Sequence, residues 1–141
     1  QKKNFVNKIE KALWVVKDKT IGVWGLSFKP NTDDMRFAPS IGIINELQKE
    51  GAVIKAYDPK AMEKAKHILS NVKYCSNPYD VAKNADALLV LTEWDEFVKL
   101  DLKKLKSLMR HPFIADGRNI YNPNNIKKEG FFYISIGRRD I

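Results

Sequence analysis

Three groups of polar residues follow short apolar runs in the sequence, and two of these groups contain cations able to bind an anion. Residues 25–36 form the longest group and carry Lys29 and Arg36. Residues 116–119 carry Arg118. Arginine presents a planar fork of N–H donors that matches phosphate oxygens, whereas lysine supplies a compact positive charge. These residue types are suited to binding a diphosphate or another small anion.

The same residues also fit a purely structural interpretation. Charged side chains are mostly exposed to solvent, and Arg36 has Asp33 and Asp34 close by in the chain as possible ion-pair partners. In the remaining group, residues 57–59, Asp58 follows an apolar run, and we interpret it as a helix cap rather than as a ribose-binding acid. Spacing alone leaves both solvated surface cations and an anion site open.

Other residue patterns give little support for catalysis. Residues 22–25 lack a complete G-x-G-x-x-G, and the sequence contains no P-loop. The two adjacent aspartates before Arg36 have no third ligand nearby, so no metal site is predicted. Cys75 has no activating base near it in the sequence, while His67 and His111 are interpreted as a surface residue and a turn residue. We predict no catalytic group in this chain.

Apolar runs that alternate with helical patterns must position these groups. Runs that are apolar throughout are typical of strands buried on both faces of a parallel sheet. Strands are predicted at 20–25, 52–57, 72–75, 87–91, 113–115 and 131–136, and helices at 3–17, 39–50, 60–69, 77–84 and 94–109 with a break near 100–101. This alternation predicts an α/β, Rossmann-like domain, with a mainly parallel sheet and helices on both faces. Such sheets bind ligands at the carboxyl ends of their strands, where the three polar groups are expected.

Composition limits the class of protein. A chain of 141 residues that is 44% hydrophobic can fill one compact core. The single cysteine excludes an internal disulfide. No apolar run approaches the ~20 residues of a membrane span. A cytoplasmic protein with no membrane partner is therefore expected. The net charge of +8 favours anionic partners. Because the cations are dispersed and no nucleic-acid motif is present, a basic nucleic-acid-binding module is only the alternative function.

Four segments carry a resemblance to a known family. They are GLSFKPNTDDMRFAPS at 25–40, YDP at 57–59, LTEWDEF at 91–97 and DGRNIY at 116–121. In this order they resemble the C-terminal, UDP-binding domain of the nucleotide-sugar dehydrogenases (the UDP-glucose/GDP-mannose dehydrogenase family). The UDP-glucose branch is more similar than the UDP-N-acetylmannosamine branch. The resemblance implies that residues 1–18 are a leading helix from the family's central helical region and that residues 19–141 are the UDP-binding domain.

The resemblance also implies an oxidoreductase. Family members oxidise the C6 alcohol of a UDP-sugar such as UDP-glucose to a carboxylate and reduce two NAD+. Their catalytic cysteine belongs to a glycine-rich motif that this sequence does not contain, and Cys75 has different surroundings. The NAD-binding domain with its G-x-G-x-x-G is not contained in it either. The chain is therefore expected to bind a UDP-sugar without catalysing the reaction alone, and the full-length enzyme is expected to be a homodimer.

Four residues receive roles from the resemblance. Phe28 and Lys29 correspond to substrate-binding residues, and Lys29 is expected beside the sugar or the diphosphate. Arg118 corresponds to an arginine that contacts the UDP-sugar. Arg36 corresponds to an arginine that reaches NAD held by the other domain. One position departs from the family pattern, because Phe37 stands where members usually have glutamate.

Overall fold

The computed structural model describes residues 2–136, and six strands in that range form one sheet. The strands are β1 (Thr20–Trp24), β2 (Val53–Tyr57), β3 (Val72–Tyr74), β4 (Ala87–Val90), β5 (Phe113–Asp116) and β6 (Phe132–Ser135). Their order is β3-β2-β1-β4-β5-β6, and every neighbouring pair is parallel. The predicted α/β, Rossmann-like architecture is confirmed.

The register brings the carboxyl ends of four strands to one edge. Trp24, the last residue of β1, lies beside Tyr57 of β2 and Val90 of β4. Val90 in turn lies beside Asp116, the last residue of β5. Strand order reverses between β1 and β4, and in sheets of this kind the crevice at that point takes the ligand.

Seven helices cover both faces of the sheet in the described part of the chain. They are α1 (Lys2–Leu13), α2 (Pro39–Lys49), α3 (Met62–Lys66), α4 (Pro78–Ala82), α5 (Asp95–Val98), α6 (Leu102–Leu108) and α7 (Pro123–Lys128). The predicted break near 100–101 separates α5 from α6. None of these helices is both long and apolar enough to cross a membrane.

Two hydrophobic clusters lie on opposite faces of the sheet and anchor the helices. One cluster contains buried side chains of α1, α2 and α3, including Phe5 and Leu47. The other contains buried side chains of α4 to α7, including Phe97 and Leu105. Strands whose residues are buried on both sides explain the continuous apolar runs in the sequence.

The helices differ from the predictions mainly at α1 and α7, and α3 is also shorter than the predicted 60–69. The first helix was predicted to reach residue 17 but ends at Leu13, because Trp14 has a φ of 66° and turns the chain toward β1. Helix α7 was not predicted. Its signal is in the sequence, since Asn122 caps the helix through its side chain and Pro123 occupies the first turn. Residues 137–141 of the predicted UDP-binding domain lie outside the described residues.

Candidate functional site

The loop after β1 is fixed at its start by the buried carboxylate of Asp58, which follows β2. Its Oδ2 accepts hydrogen bonds from the backbone N–H groups of Leu26 at 2.7 Å and Ser27 at 3.2 Å. Its Oδ1 accepts from the N–H groups of Lys60 and Ala61, at 2.9 and 2.8 Å. These bonds cap the turn before α3, whereas the N-cap of the helix itself is Ala61, which forms no side-chain cap, so the prediction of Asp58 as a helix cap is wrong. The same fully buried side chain also joins the β1 loop to β2.

Two buried hydroxyl groups hold the same part of the loop. Ser40 donates from Oγ to the carbonyl oxygen of Leu26 at 2.6 Å, and Thr92 donates from Oγ1 to that of Ser27 at 2.7 Å. Gly25 has a φ of 92°, and a Cβ added there would lie 2.5 Å from Cβ of Thr92. Glycine is therefore required at this position both by backbone conformation and by close approach.

We call residues 25–27 the stem of this loop and residues 28–37 its tip. In the tip, Nε of Arg36 donates to Oδ1 of Asp34 and Nη2 donates to Oδ2, both at 3.0 Å. The Arg36 side chain is 83% exposed, and its hydrogen bonds lower the pKa of the Asp34 carboxyl to about 2. The ion pair of Arg36 with Asp34, which the sequence left open, is thus present. Nη1 of Arg36 bonds to no residue within 2–136.

Phe28 and Lys29 begin the tip. Nζ of Lys29 lies 5.8 Å from the centre of the Phe28 ring, and no carboxylate in the described chain forms an ion pair with it. The backbone N–H of Phe28 donates to the carbonyl oxygen of Asp34 at 3.0 Å, so the tip closes on itself. Phe28, Lys29, Arg36 and Phe37 line one open groove of about 520 Å³.

The turn after β5 is built around a second buried carboxylate, that of Asp116. Its Oδ1 accepts a hydrogen bond from the backbone N–H of Arg118 at 3.0 Å. Its Oδ2 accepts from the N–H groups of Ile120 and Tyr121 and from the hydroxyl of Tyr133, at 2.8, 3.1 and 2.7 Å. These bonds fix the backbone that carries the Arg118 side chain.

The Arg118 guanidinium is held from two directions. Nε and Nη2 donate to Oε1 of Glu93 at 3.0 and 2.8 Å, and Nη2 also donates to the carbonyl oxygen of Phe28 at 3.2 Å. The side chain is 25% exposed and lines a cavity of about 240 Å³ whose wall includes Phe5 and Leu91. Because Nη1 bonds to no described residue, it is available to donate to a ligand.

This edge of the sheet lies within a region that matches a known domain. Residues 22–123 match the family model described as the UDP-glucose/GDP-mannose dehydrogenase family, UDP binding domain. The chain belongs to this family. The resemblance drawn from the four sequence segments is therefore confirmed. The match covers the stem, the tip, Glu93 and the turn that carries Arg118.

Curated relatives and solved structures in the family agree with this membership. The chain is 46% identical over 125 residues to a UDP-glucose 6-dehydrogenase of Rhizobium meliloti, covering 89% of this chain, and 43% identical over 139 residues to UDP-glucose 6-dehydrogenase TuaD of Bacillus subtilis, covering 98%. It spans 29% and 30% of the lengths of these relatives. The structure of a UDP-glucose dehydrogenase from Pyrobaculum islandicum matches with a TM-score of 0.79 at 29% identity, over 94% of this chain and 28% of that one.

The structure brings the four residues assigned from the family resemblance to one edge of the sheet. Three of them line the groove of the tip, and Arg118 bonds to the backbone of Phe28. Their contacts with a ligand stay predictions. No role was predicted for Glu93 or Asp116, which hold Arg118, although both lie in segments that carry the family resemblance.

The remaining candidates, Cys75, His67 and His111, line neither the groove of the tip nor the cavity beside Arg118. Cys75 is buried after β3, and burial raises the pKa of its thiol, which disfavours the thiolate form. His67 and His111 are exposed. No three His, Cys, Asp or Glu side chains in the described residues are grouped as metal ligands.

Proposed function

We propose that the carboxyl edge of the sheet binds the UDP part of a UDP-sugar. The Arg118 guanidinium carries this proposal, because Glu93 and the Phe28 carbonyl hold it at a cavity while Nη1 stays available. A guanidinium fixed in this way binds phosphate oxygens with little further loss of rotamer freedom. Membership in the UDP-binding family supports UDP as the anion.

Lys29 supplies a second positive charge for the same ligand. With no carboxylate partner in the described residues, its Nζ is available to the diphosphate or to the sugar. A cation fixed beside the sugar orients the C6 alcohol for reaction, which is a contribution to positioning. Phe28, whose side chain is 37% exposed, gives the ligand an apolar surface next to this charge.

Arg36 is assigned to the phosphates of NAD that is bound mainly by another domain. The stem does not form a dinucleotide cradle, because residues 22–25 lack the glycine pattern and Thr92 fills the space against Gly25. The exposed guanidinium of Arg36, with Nη1 unbonded in the described chain, fits a contact with a phosphate from one side. NAD+ supplies the hydride acceptor when bound, and Arg36 binds and orients it.

We further propose that the chain is one part of a longer UDP-glucose 6-dehydrogenase. That enzyme would oxidise UDP-glucose to UDP-glucuronate and reduce two NAD+, and the names of the similar curated proteins support glucose as the sugar. This chain would supply substrate binding, while the catalytic cysteine would come from another part of the enzyme. The complete enzyme is proposed to be a cytoplasmic homodimer, and the chain alone is expected to be inactive.

Replacing the fixed arginine tests the proposal. Arg118→Ala should weaken UDP binding by the 141-residue chain about tenfold or more, because a hydrogen bond to a charged group contributes roughly 1.5–3 kcal/mol. Calorimetric titration measures the affinity, and thermal unfolding shows whether the variant is folded. Unchanged UDP affinity in a folded variant would remove Arg118 from the site.

Arg110→Ala is the matched control. Arg110 pairs with Asp86 at 3.2 Å, and Asp86 accepts a hydrogen bond from Thr20 at the start of β1, at the opposite edge of the sheet. UDP affinity should therefore stay unchanged.

In the complete enzyme, Arg36→Ala should raise the KM for NAD+ more than that for the UDP-sugar, and the reverse result would exchange the roles of Arg36 and Arg118.

A further inference from the structure

Phe37 is an exposed aromatic residue in an unusual backbone conformation. Its φ is 59°, in the left-handed region that bulky residues rarely adopt, and the residue is 91% exposed. The ring therefore gains almost no burial in the described chain that would offset this conformation. The stability of the domain does not explain why an aromatic residue stands here, and residues held in this way cluster at ligand-binding sites.

The charges around Phe37 indicate what its ring contacts. The two acidic side chains of the tip are balanced, since Asp33 pairs with Lys64 at 3.2 Å and Asp34 pairs with Arg36. Lys29 has no such partner in the described residues, so the groove that it shares with Phe37 carries a net positive charge. A groove of about 520 Å³ is within the ~300–1,000 Å³ of small-molecule sites.

An apolar ring beside positive charge complements a ligand that combines a planar ring with phosphate. We propose that Phe37 stacks on a base of the dinucleotide whose phosphates bind Arg36 in the same groove. This inference rests on the proposed assignment of Arg36 to NAD and adds a base-binding residue to it. Stacking on an aromatic side chain accepts any base, because every base presents a π face.

The test compares three ligands on one substitution in the complete enzyme, in which the other domain that binds NAD+ is present. Phe37→Ala should weaken NAD+ binding about fivefold or more, in line with the loss of one stacked base. Binding of inorganic pyrophosphate and of UDP should stay unchanged, because neither stacks on this ring in the proposal. Phe37→Trp should retain NAD+ binding. Calorimetric titration of the complete enzyme measures all three affinities.

Two further variants separate stacking from folding. Asn tolerates the left-handed conformation, so Phe37→Asn should keep the Tm of the parent chain and still lose NAD+ affinity. Phe132→Ala removes a 40% exposed ring at the start of β6, near the opposite edge of the sheet, and should leave NAD+ affinity unchanged.

Several results would overturn the inference. NAD+ affinity that Phe37→Ala leaves intact would show that the ring contacts something else, such as another part of the protein. An equal loss of pyrophosphate affinity would show that Phe37 only shapes the Arg36 site. NAD+ affinity that is unchanged in Phe37→Ala would contradict the inference and leave the proposed function standing, whereas UDP affinity that is unchanged in Arg118→Ala would contradict the proposed function.

Discussion

The stem and the tip of the β1 loop are adjacent in sequence and differ in how they are held. The stem, residues 25–27, is buried and bonds to Asp58, Ser40 and Thr92 from three separate parts of the chain. The tip, residues 28–37, is held mostly by bonds within itself and exposes its cations to solvent. One segment thus fixes the start of the loop, and the next leaves its cations accessible.

Arg118 and Arg36, the two arginines assigned to ligands, differ in the same way as the stem and the tip. Arg118 lies on a backbone fixed by the buried Asp116 and is 25% exposed, whereas Arg36 is 83% exposed and pairs within the tip. A guanidinium held by buried partners has a defined direction before ligand arrives, and this fits the substrate of the domain itself. An exposed guanidinium can change partner at little cost, which fits a cofactor presented by another domain.

The largest effect should come from removing the carboxylate that holds the stem. Asp58→Ala leaves four backbone N–H groups without their acceptor, two of them in the stem. Each unsatisfied buried group costs roughly 1–3 kcal/mol, so the free energy of unfolding should fall by about 3 kcal/mol or more. Urea unfolding followed by circular dichroism measures it.

The matched change in the tip is Asp33→Ala. Asp33 forms an exposed ion pair with Lys64, and such pairs contribute about 0–1 kcal/mol. Equal destabilisation by the Asp58 and Asp33 variants would contradict the distinction between a fixed stem and an exposed tip.

Smaller losses of stability are expected from substitutions of two threonines. Thr92 bonds to the stem of the loop, and Thr32 lies in its tip. Thr92→Val removes the buried hydroxyl that donates to Ser27 and should cost about 1–2 kcal/mol. Thr32→Val removes the oxygen that accepts from the Asp34 N–H at 3.2 Å in a more exposed place, and should cost less than about 0.5 kcal/mol. Chemical denaturation of both variants compares them, and a larger loss for Thr32→Val would be evidence against the comparison.

The smallest expected effect is the pH dependence of the ion pair between Asp34 and Arg36. The pKa of Asp34 is lowered to about 2 by the hydrogen bonds of Arg36, so the pair should persist at mildly acidic pH and separate only as the pH falls through about 2. A lowered pKa means that this stabilisation is fully present above the unfolded pKa and is lost as the pH falls toward the folded pKa of about 2. NMR titration of the Asp34 carboxyl carbon measures the midpoint. In Arg36→Gln it should return toward the usual ~3.9, and a midpoint near this value in the parent chain would show that the pair does not form in solution.

The sheet could be predicted from the sequence because its strands are buried on both faces. The residues of β4 are entirely apolar and buried, so the run itself identifies the strand. Helix ends were harder to predict. Trp14 ends α1 in the left-handed conformation, and no glycine at that position indicates the turn in the sequence. The short α7 has few apolar residues and is identified only by its Asn122 and Pro123.

The sequence singles out the cations of the candidate site, whose ligand contacts stay predictions, but not the groups that hold them. Lys29, Arg36 and Arg118 are chemically distinctive in the sequence. The contact of Arg118 with Phe28 joins residues 90 positions apart, and that of Arg118 with Glu93 depends on two neighbouring strands. The spacing of residues in one sequence does not reveal such contacts, because they form only when the strands take their order in the sheet.

The carboxyl edge of this sheet is proposed to bind UDP through its diphosphate. Calorimetric titration of the 141-residue chain with UDP, and with UMP and a short oligonucleotide as controls, tests it most directly. UDP should bind clearly more tightly than UMP. Equal affinity for UDP and UMP would contradict a diphosphate site, and tight oligonucleotide binding that weakens steeply with salt would favour the nucleic-acid alternative.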